Sequence, residues 1–68
     1  MNTHSLRLIE IAMPEHLLVD EAFTGTDWAA EQRLGDIWNG SLAAIDGERY
    51  RATAQRTGEQ RPFMTIGW

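Results

Sequence analysis

Two histidines and ten carboxylates are the side chains of this chain with the widest chemical use, and there is no cysteine. His16 precedes Asp20 by four residues. On a helix both would lie on one face and, with a third ligand, could hold a metal ion. On a strand that spacing loses its meaning. His4 lies close to the N-terminus, where we expect a solvated side chain. We therefore predict no metal site and no cofactor.

Nucleophilic catalysis needs a nucleophile, a base and a group that orients the base, and no such set stands out. The neighbouring carboxyl groups of Asp20 and Glu21 suit acid–base chemistry, but a domain of this size offers no pocket that closes around a substrate. The six glycines are never grouped in the spacing that binds phosphate. We predict that the protein is not an enzyme and has no catalytic residues.

The charges are unevenly distributed along the chain, which has a net charge of −4. Residues 1–47 contain eight carboxylates and two arginines, whereas residues 48–68 contain four arginines and two carboxylates. An array of negative charge can occupy a basic groove that normally binds nucleic acid, although solvated carboxylates are also what any acidic surface shows. We predict a partner-binding face that consists of Asp20, Glu21, Asp27, Trp28, Glu31 and Asp36.

Aromatic residues supply candidate anchors for docking. Trp28 lies off the apolar stripe of the predicted helix, so we expect it to be exposed, and tryptophan is enriched at interface hot spots. Phe63 points away from its apolar neighbours in the last predicted strand and is a second candidate. The leading interpretation is a stoichiometric inhibitor or adaptor that docks on a larger protein, such as one that binds nucleic acid. Anti-CRISPR inhibitors of phages and mobile elements share this size and charge, but no family motif is found in the chain.

Two other interpretations stay open. Arginines beside an aromatic residue on a two-stranded ribbon bind phosphates and stack on bases. The C-terminal hairpin is therefore a candidate nucleic-acid-binding element with Arg49, Tyr50, Arg51, Arg56 and Arg61. The excess of basic over acidic residues in 48–68 is only two, so we rank this below protein binding. The third interpretation is a structural subunit that is stable only as a homo-oligomer.

Length and composition limit the chain to one small domain, residues 1–68. Hydrophobic residues make up 43% and charged residues 24% of the chain, values typical of a soluble globular protein. No apolar run approaches the ~20 residues of a membrane span, and no secretory signal is present. We expect a cytoplasmic protein of marginal stability that does not bind a membrane.

The N-terminal third of the chain predicts two strands. Residues 5–11 contain β-branched residues and partly alternate, and the slip between Leu8 and Ile9 indicates either a bulge or a strand buried on both faces. Residues 17–23 alternate as well and favour a second strand. Residues 14–23, which begin with a proline, also suit a short helix, so that alternative stays open.

Residues 27–38 predict the one main helix. Thr26 or Asp27 is able to cap its first turn. Apolar residues recur at helical spacing on one face, namely Ala30, Leu34, Ile37 and Trp38. We expect this stripe to pack over one face of a sheet.

The C-terminal third predicts further strands. The Asp-Gly pair at 46–47, between residues 42–45 and 49–54, is typical of a two-residue hairpin turn. Residues 56–60 indicate a second turn, and residues 62–68 a closing strand whose apolar row ends at the last tryptophan. The predicted fold class is α+β: a small antiparallel β-sheet of about four strands with one main α-helix packed on one face.

Overall fold

A computed structural model describes residues 1–67 of the chain. Within these residues a four-stranded antiparallel sheet is covered on one face by one α-helix. The elements are β1 (Asn2–Glu10), β2 (Met13–Gly25), α1 (Asp27–Asn39), β3 (Tyr50–Arg56) and β4 (Met64–Gly67), with two short 3-10 helices, Leu42–Ala44 and Gly47–Arg49, between α1 and β3. The strand order is β2-β1-β3-β4. The predicted α+β class is thereby confirmed.

β1 and β2 form a long hairpin that turns at residues 11–12. Leu8 pairs with Val19, whereas the next residue, Ile9, pairs with Leu17. The register therefore shifts at the step between Leu8 and Ile9, which confirms the predicted bulge. The alternative of a short helix is wrong, because β2 pairs with β1 from end to end and its backbone gains ladder hydrogen bonds.

Helix α1 begins where the sequence predicts. Thr26 is the N-cap, and its Oγ1 accepts a hydrogen bond from the Ala29 N–H at 3.1 Å. This bond satisfies one of the amides that the first turn leaves without a helical partner. The side chains of α1 that pack on the core are those of the predicted stripe, Ala30, Leu34, Ile37 and Trp38.

The core lies between α1 and the centre of the sheet. β1 contributes Leu6 and Leu8, and β3 contributes Ala52 and Ala54, all with 0% exposure. The one-carbon side chains on β3 leave room for the helix to approach the sheet closely. Leu34 fills that space from the helix side and is also 0% exposed. Few large side chains therefore carry the packing of this small domain.

The predicted hairpin around Asp46 and Gly47 is wrong. Neither residue has the positive φ that a two-residue hairpin turn of this kind requires. Residues 42–44 instead form a 3-10 helix capped by Ser41, whose Oγ accepts a hydrogen bond from the Ala43 N–H at 3.1 Å. No edge of β3 is open to them, since β3 pairs with β1 on one side and with β4 on the other.

The C-terminal segment follows the prediction more closely. The turn at residues 56–60 contains Gly58 with a φ of 92°, a conformation that favours glycine. β4 begins at Met64, two residues later than predicted. Gly67 in β4 has a φ of 95°, and a Cβ atom there would lie 2.9 Å from the Trp38 ring, so a side chain is excluded. Trp68, the last residue of the predicted apolar row, falls outside the described residues.

Replacing Leu34 by alanine should lower the free energy of unfolding by about 2–5 kcal/mol, because it leaves a cavity under α1. Denaturant unfolding followed by circular dichroism measures this change. Leu42→Ala is the matched control, since Leu42 is 59% exposed, and it should change stability by less than about 0.5 kcal/mol. Equal losses in the two variants would contradict the packing of α1 described above.

Candidate functional site

The start of α1 is fastened to the sheet by a buried histidine. His4 on β1 is 0% exposed. Its Nδ1 lies 3.2 Å from the carbonyl oxygen of Phe23 on β2, and its Nε2 lies 2.9 Å from Oδ1 of Asp27, the first residue of α1. The expectation of a solvated side chain is wrong, because residue 4 alternates onto the core face together with Leu6 and Leu8.

Arg56, the last residue of β3, completes this arrangement. Its Nε donates to Oδ1 of Asp27 at 3.0 Å, and its Nη2 donates to Oδ2 of the same carboxylate. Its Nη1 donates to Oε1 of Glu59 at 3.1 Å, and the guanidinium carbon lies 5.2 Å from the centre of the Phe63 ring. We call His4, Asp27 and Arg56 the helix-start network.

These contacts fix the charge of the central carboxylate. Hydrogen bonds from Arg56 and, second, from His4 lower the pKa of the Asp27 carboxyl group from its ordinary 3.8 to about 2, because they stabilise its ionised form. A negative charge in the first turn also interacts favourably with the helix dipole. The His4 imidazole is inaccessible to a substrate, so the network joins β1, α1 and β3 rather than presenting a reactive group.

The outer face of α1 carries an exposed aromatic side chain, that of Trp28. Trp28 directly follows the network carboxylate and is 68% exposed, as predicted. Glu31 lies one turn further along and is half-buried, and Asp36 is exposed. Within residues 1–67 neither of these carboxylates forms an ion pair. We call Trp28, Glu31 and Asp36 the outer-face residues.

The other predicted acidic residues are paired within the fold. Asp20 lies on the sheet face opposite α1, 3.5 Å from Arg7. Glu21 accepts two hydrogen bonds from Arg33 of α1, at 2.7 and 2.8 Å, and these bonds lower its pKa. Asp27 belongs to the helix-start network. The six residues of the predicted face are therefore divided between an internal group and the outer-face residues.

The arginines of the predicted nucleic-acid-binding hairpin do not share one surface. Tyr50 is a core residue with 9% exposure, so its ring is not available to stack on a base. Arg56 belongs to the helix-start network, and Arg49 lies 3.0 Å from a carboxylate in the preceding loop. Arg51 lies on the sheet face opposite α1, and Arg61 is exposed before β4. The ribbon on which that interpretation depended is not formed.

His16 lies on a strand and not on a helix, so its predicted spacing to Asp20 has no structural meaning. Its Nδ1 is 3.6 Å from an oxygen of Glu10. In the described part of the chain, no group of three or more histidines and carboxylates is placed to hold a metal ion. An open cleft of about 300 Å³ lies near this end of the sheet and is lined by Glu10, Ile11, Ala12, Glu48 and Arg49. Neither feature assigns a ligand.

In comparisons with known proteins, no family model, no curated protein and no solved structure matches this chain. None of the helices formed by residues 1–67 is long and apolar enough to cross a membrane. Function must therefore be inferred from the surface chemistry of the chain itself.

The predicted exposure of two residues, His4 and Phe63, is wrong, and the structure shows the reason for each. His4 continues the alternation of Leu6 and Leu8, so the period-two pattern extended to residue 4 is the signal for a buried histidine. Phe63 is partly buried and is not an exposed anchor, with its ring centre 5.7 Å from that of His4. It lies inside because β4 begins only at Met64, so strand alternation does not set its direction.

Acid should destabilise the protein through Asp27. Its pKa in the folded chain is about 2, below its ordinary 3.8. The stability that it contributes is therefore fully present above about pH 4 and is lost as the pH falls toward 2. Denaturant midpoints measured between about pH 6 and about pH 2 should show this loss. Asp27→Asn should lower the midpoint at the upper pH and remove this part of the acid dependence.

Asp36→Asn is the matched control for that experiment, since Asp36 lies on the same helix without an ion pair in residues 1–67. It should leave the midpoint and the acid dependence unchanged. Identical acid profiles for the original chain and Asp27→Asn would show that the helix-start network contributes nothing to stability.

Proposed function

We propose that this protein is a small protein-binding module that docks on a larger protein as a stoichiometric inhibitor or adaptor. The observation that carries this proposal is the 68% exposure of Trp28 at the start of α1. Burial of apolar surface is favourable, so an indole that is exposed to water gains free energy when a partner covers it. Tryptophan is also among the residues most enriched at interface hot spots.

The attachment of Trp28 supports a role as an anchor. The preceding residue, Asp27, is held by two strands, and Thr26 caps the same turn. The backbone that carries the indole is therefore fixed before any partner arrives. Preorganisation of this kind lowers the conformational entropy lost on binding and leaves more of the contact energy as affinity.

Charge indicates what kind of partner fits. Most carboxylates of the described residues have an arginine or histidine partner. Those without an ion pair in residues 1–67 are Glu15, Glu31, Asp36 and Glu48. Two of these four, Glu31 and Asp36, lie on α1, the helix that also carries the exposed indole. A partner with a basic rim around an apolar pocket complements this surface, as does a groove that binds nucleic acid.

Replacing Trp28 by alanine should weaken binding by about 30-fold or more, the effect of a hot spot worth ~2 kcal/mol. The partner is first captured from a lysate of the source cell at low and high salt, with and without nuclease treatment. Its affinity is then measured by calorimetry against the original chain and the variant. Glu31→Lys combined with Asp36→Lys should weaken binding too, and most strongly at low salt, because both changes reverse the charge of the docking face.

Two control variants test surfaces that the proposal does not use. Asp20→Lys changes a carboxylate on the opposite face of the sheet, and Leu42→Ala removes another exposed apolar side chain. Both should bind like the original chain. Binding that is insensitive to Trp28 and to the charge reversal, or recovery of nucleic acid alone, would overturn the proposal.

A further inference from the structure

The two nitrogens of the buried His4 ring both face hydrogen-bond acceptors. Nδ1 lies 3.2 Å from the Phe23 carbonyl oxygen, and Nε2 lies 2.9 Å from an oxygen of Asp27. A carbonyl oxygen and a carboxylate accept hydrogen bonds and do not donate them. Each nitrogen therefore needs a proton of its own to make its bond.

A neutral imidazole carries one N–H and one lone pair. Either neutral tautomer of His4 would direct its lone pair at an oxygen lone pair inside the protein, where water cannot screen the repulsion. We infer that the folded protein holds His4 as an imidazolium, and that loss of its second proton breaks one of the two hydrogen bonds by which the ring joins β2 to the first turn of α1 and so weakens that attachment. This pH-sensitive fastening goes beyond the proposed docking function and does not depend on it.

The surroundings of the ring supply the charges that this state requires. From α1, the Asp27 carboxylate contacts the imidazolium directly. From β3, Arg56 bonds the same carboxylate, and Glu59 in the following turn bonds Arg56. β2 faces the ring with a carbonyl oxygen and a phenyl ring, and Phe63 packs at its edge. Two cations and two anions therefore form one neutral cluster.

The direction of the pH effect follows from the hydrogen bonds. The folded chain stabilises the protonated ring, whereas the unfolded chain leaves the ring in water. The stability that this proton confers is therefore present at lower pH and is lost as the pH rises through the titration of His4 in the folded state. Asp27 loses its own contribution to stability only in acid. The hydrogen bonds of both side chains are therefore formed between the pH at which Asp27 is protonated and the higher pH at which His4 loses its second proton.

Nuclear magnetic resonance of the ring nitrogens tests the protonation state directly. The variant His16→Gln leaves His4 as the one imidazole of the chain, and the His16 side chain is 62% exposed, so the change does not disturb the core. Long-range proton–nitrogen spectra at about pH 7.5 should show two protonated ring nitrogens, whereas an ordinary histidine is mostly neutral at that pH. A spectrum of either neutral tautomer would overturn the inference.

Unfolding measurements on the same variant test the contribution of this proton to stability. As the pH rises from about 6.5, where an ordinary histidine deprotonates, to the pH at which the spectra show His4 losing its second proton, the folding equilibrium constant should fall by up to tenfold per pH unit and then level off, the dependence expected for one linked proton. An equilibrium constant that stays flat over that whole pH range would overturn the inferred contribution of the second proton.

Discussion

The carboxylate of Asp27 receives hydrogen bonds from β1 and from β3 while its own residue opens α1, so one side chain sets how helix and sheet meet. The fully buried large apolar side chains of the described core are three leucines, and such a core leaves the start of a helix weakly held. The hydrogen bonds of the helix-start network hold that end of the helix to the sheet. The network matters most to His4, because removal of the Asp27 carboxylate leaves a nitrogen of the fully buried ring without its hydrogen-bond partner.

The same pairing decides which charges of the surface are available to a partner. The net charge of −4 gives the excess of acidic over basic residues, but not where on the surface that excess lies. Arg33 neutralises Glu21, and Arg56 neutralises Asp27, across 12 and 29 positions of the chain. On α1, within residues 1–67, Glu31 and Asp36 remain without an ion pair. The proposed docking surface is thus defined by the carboxylates that the fold leaves without an ion pair, and not by the density of acidic residues along the sequence.

Local signals in the sequence were sufficient for most elements of the fold. The Thr26 cap, the apolar stripe of α1 and the bulge after Leu8 each depend on a few neighbouring residues, and each is confirmed. The hairpin at 46–47 depended on a local signal too, but pairing needs a free edge, and β1 and β4 occupy both edges of β3. Tertiary pairing overrides turn preference in that segment.

The chemistry of the site was harder to predict because its contacts connect distant positions. Nothing near His4 in the sequence points to a carboxylate 23 positions later, and nothing near Asp27 indicates a bond to an arginine 29 positions later. The alternation of buried side chains along β1 indicates that residue 4 lies in the core. It does not indicate which groups form hydrogen bonds with the ring. The sequence therefore limits the candidates for docking, and the sheet order determines which of them are already bonded.

The first turn of α1 combines two roles that depend on each other. Asp27 ties the turn to the sheet, and Trp28, next in the chain, extends from that turn into water. A partner that grips the indole has a rigid anchor only while the turn stays fastened. By linkage, a partner that binds the folded chain and not the unfolded one also stabilises the fold, by RT ln(1 + [L]/Kd). For a domain with so small a core, that coupling makes stability in the complex partly a property of the partner.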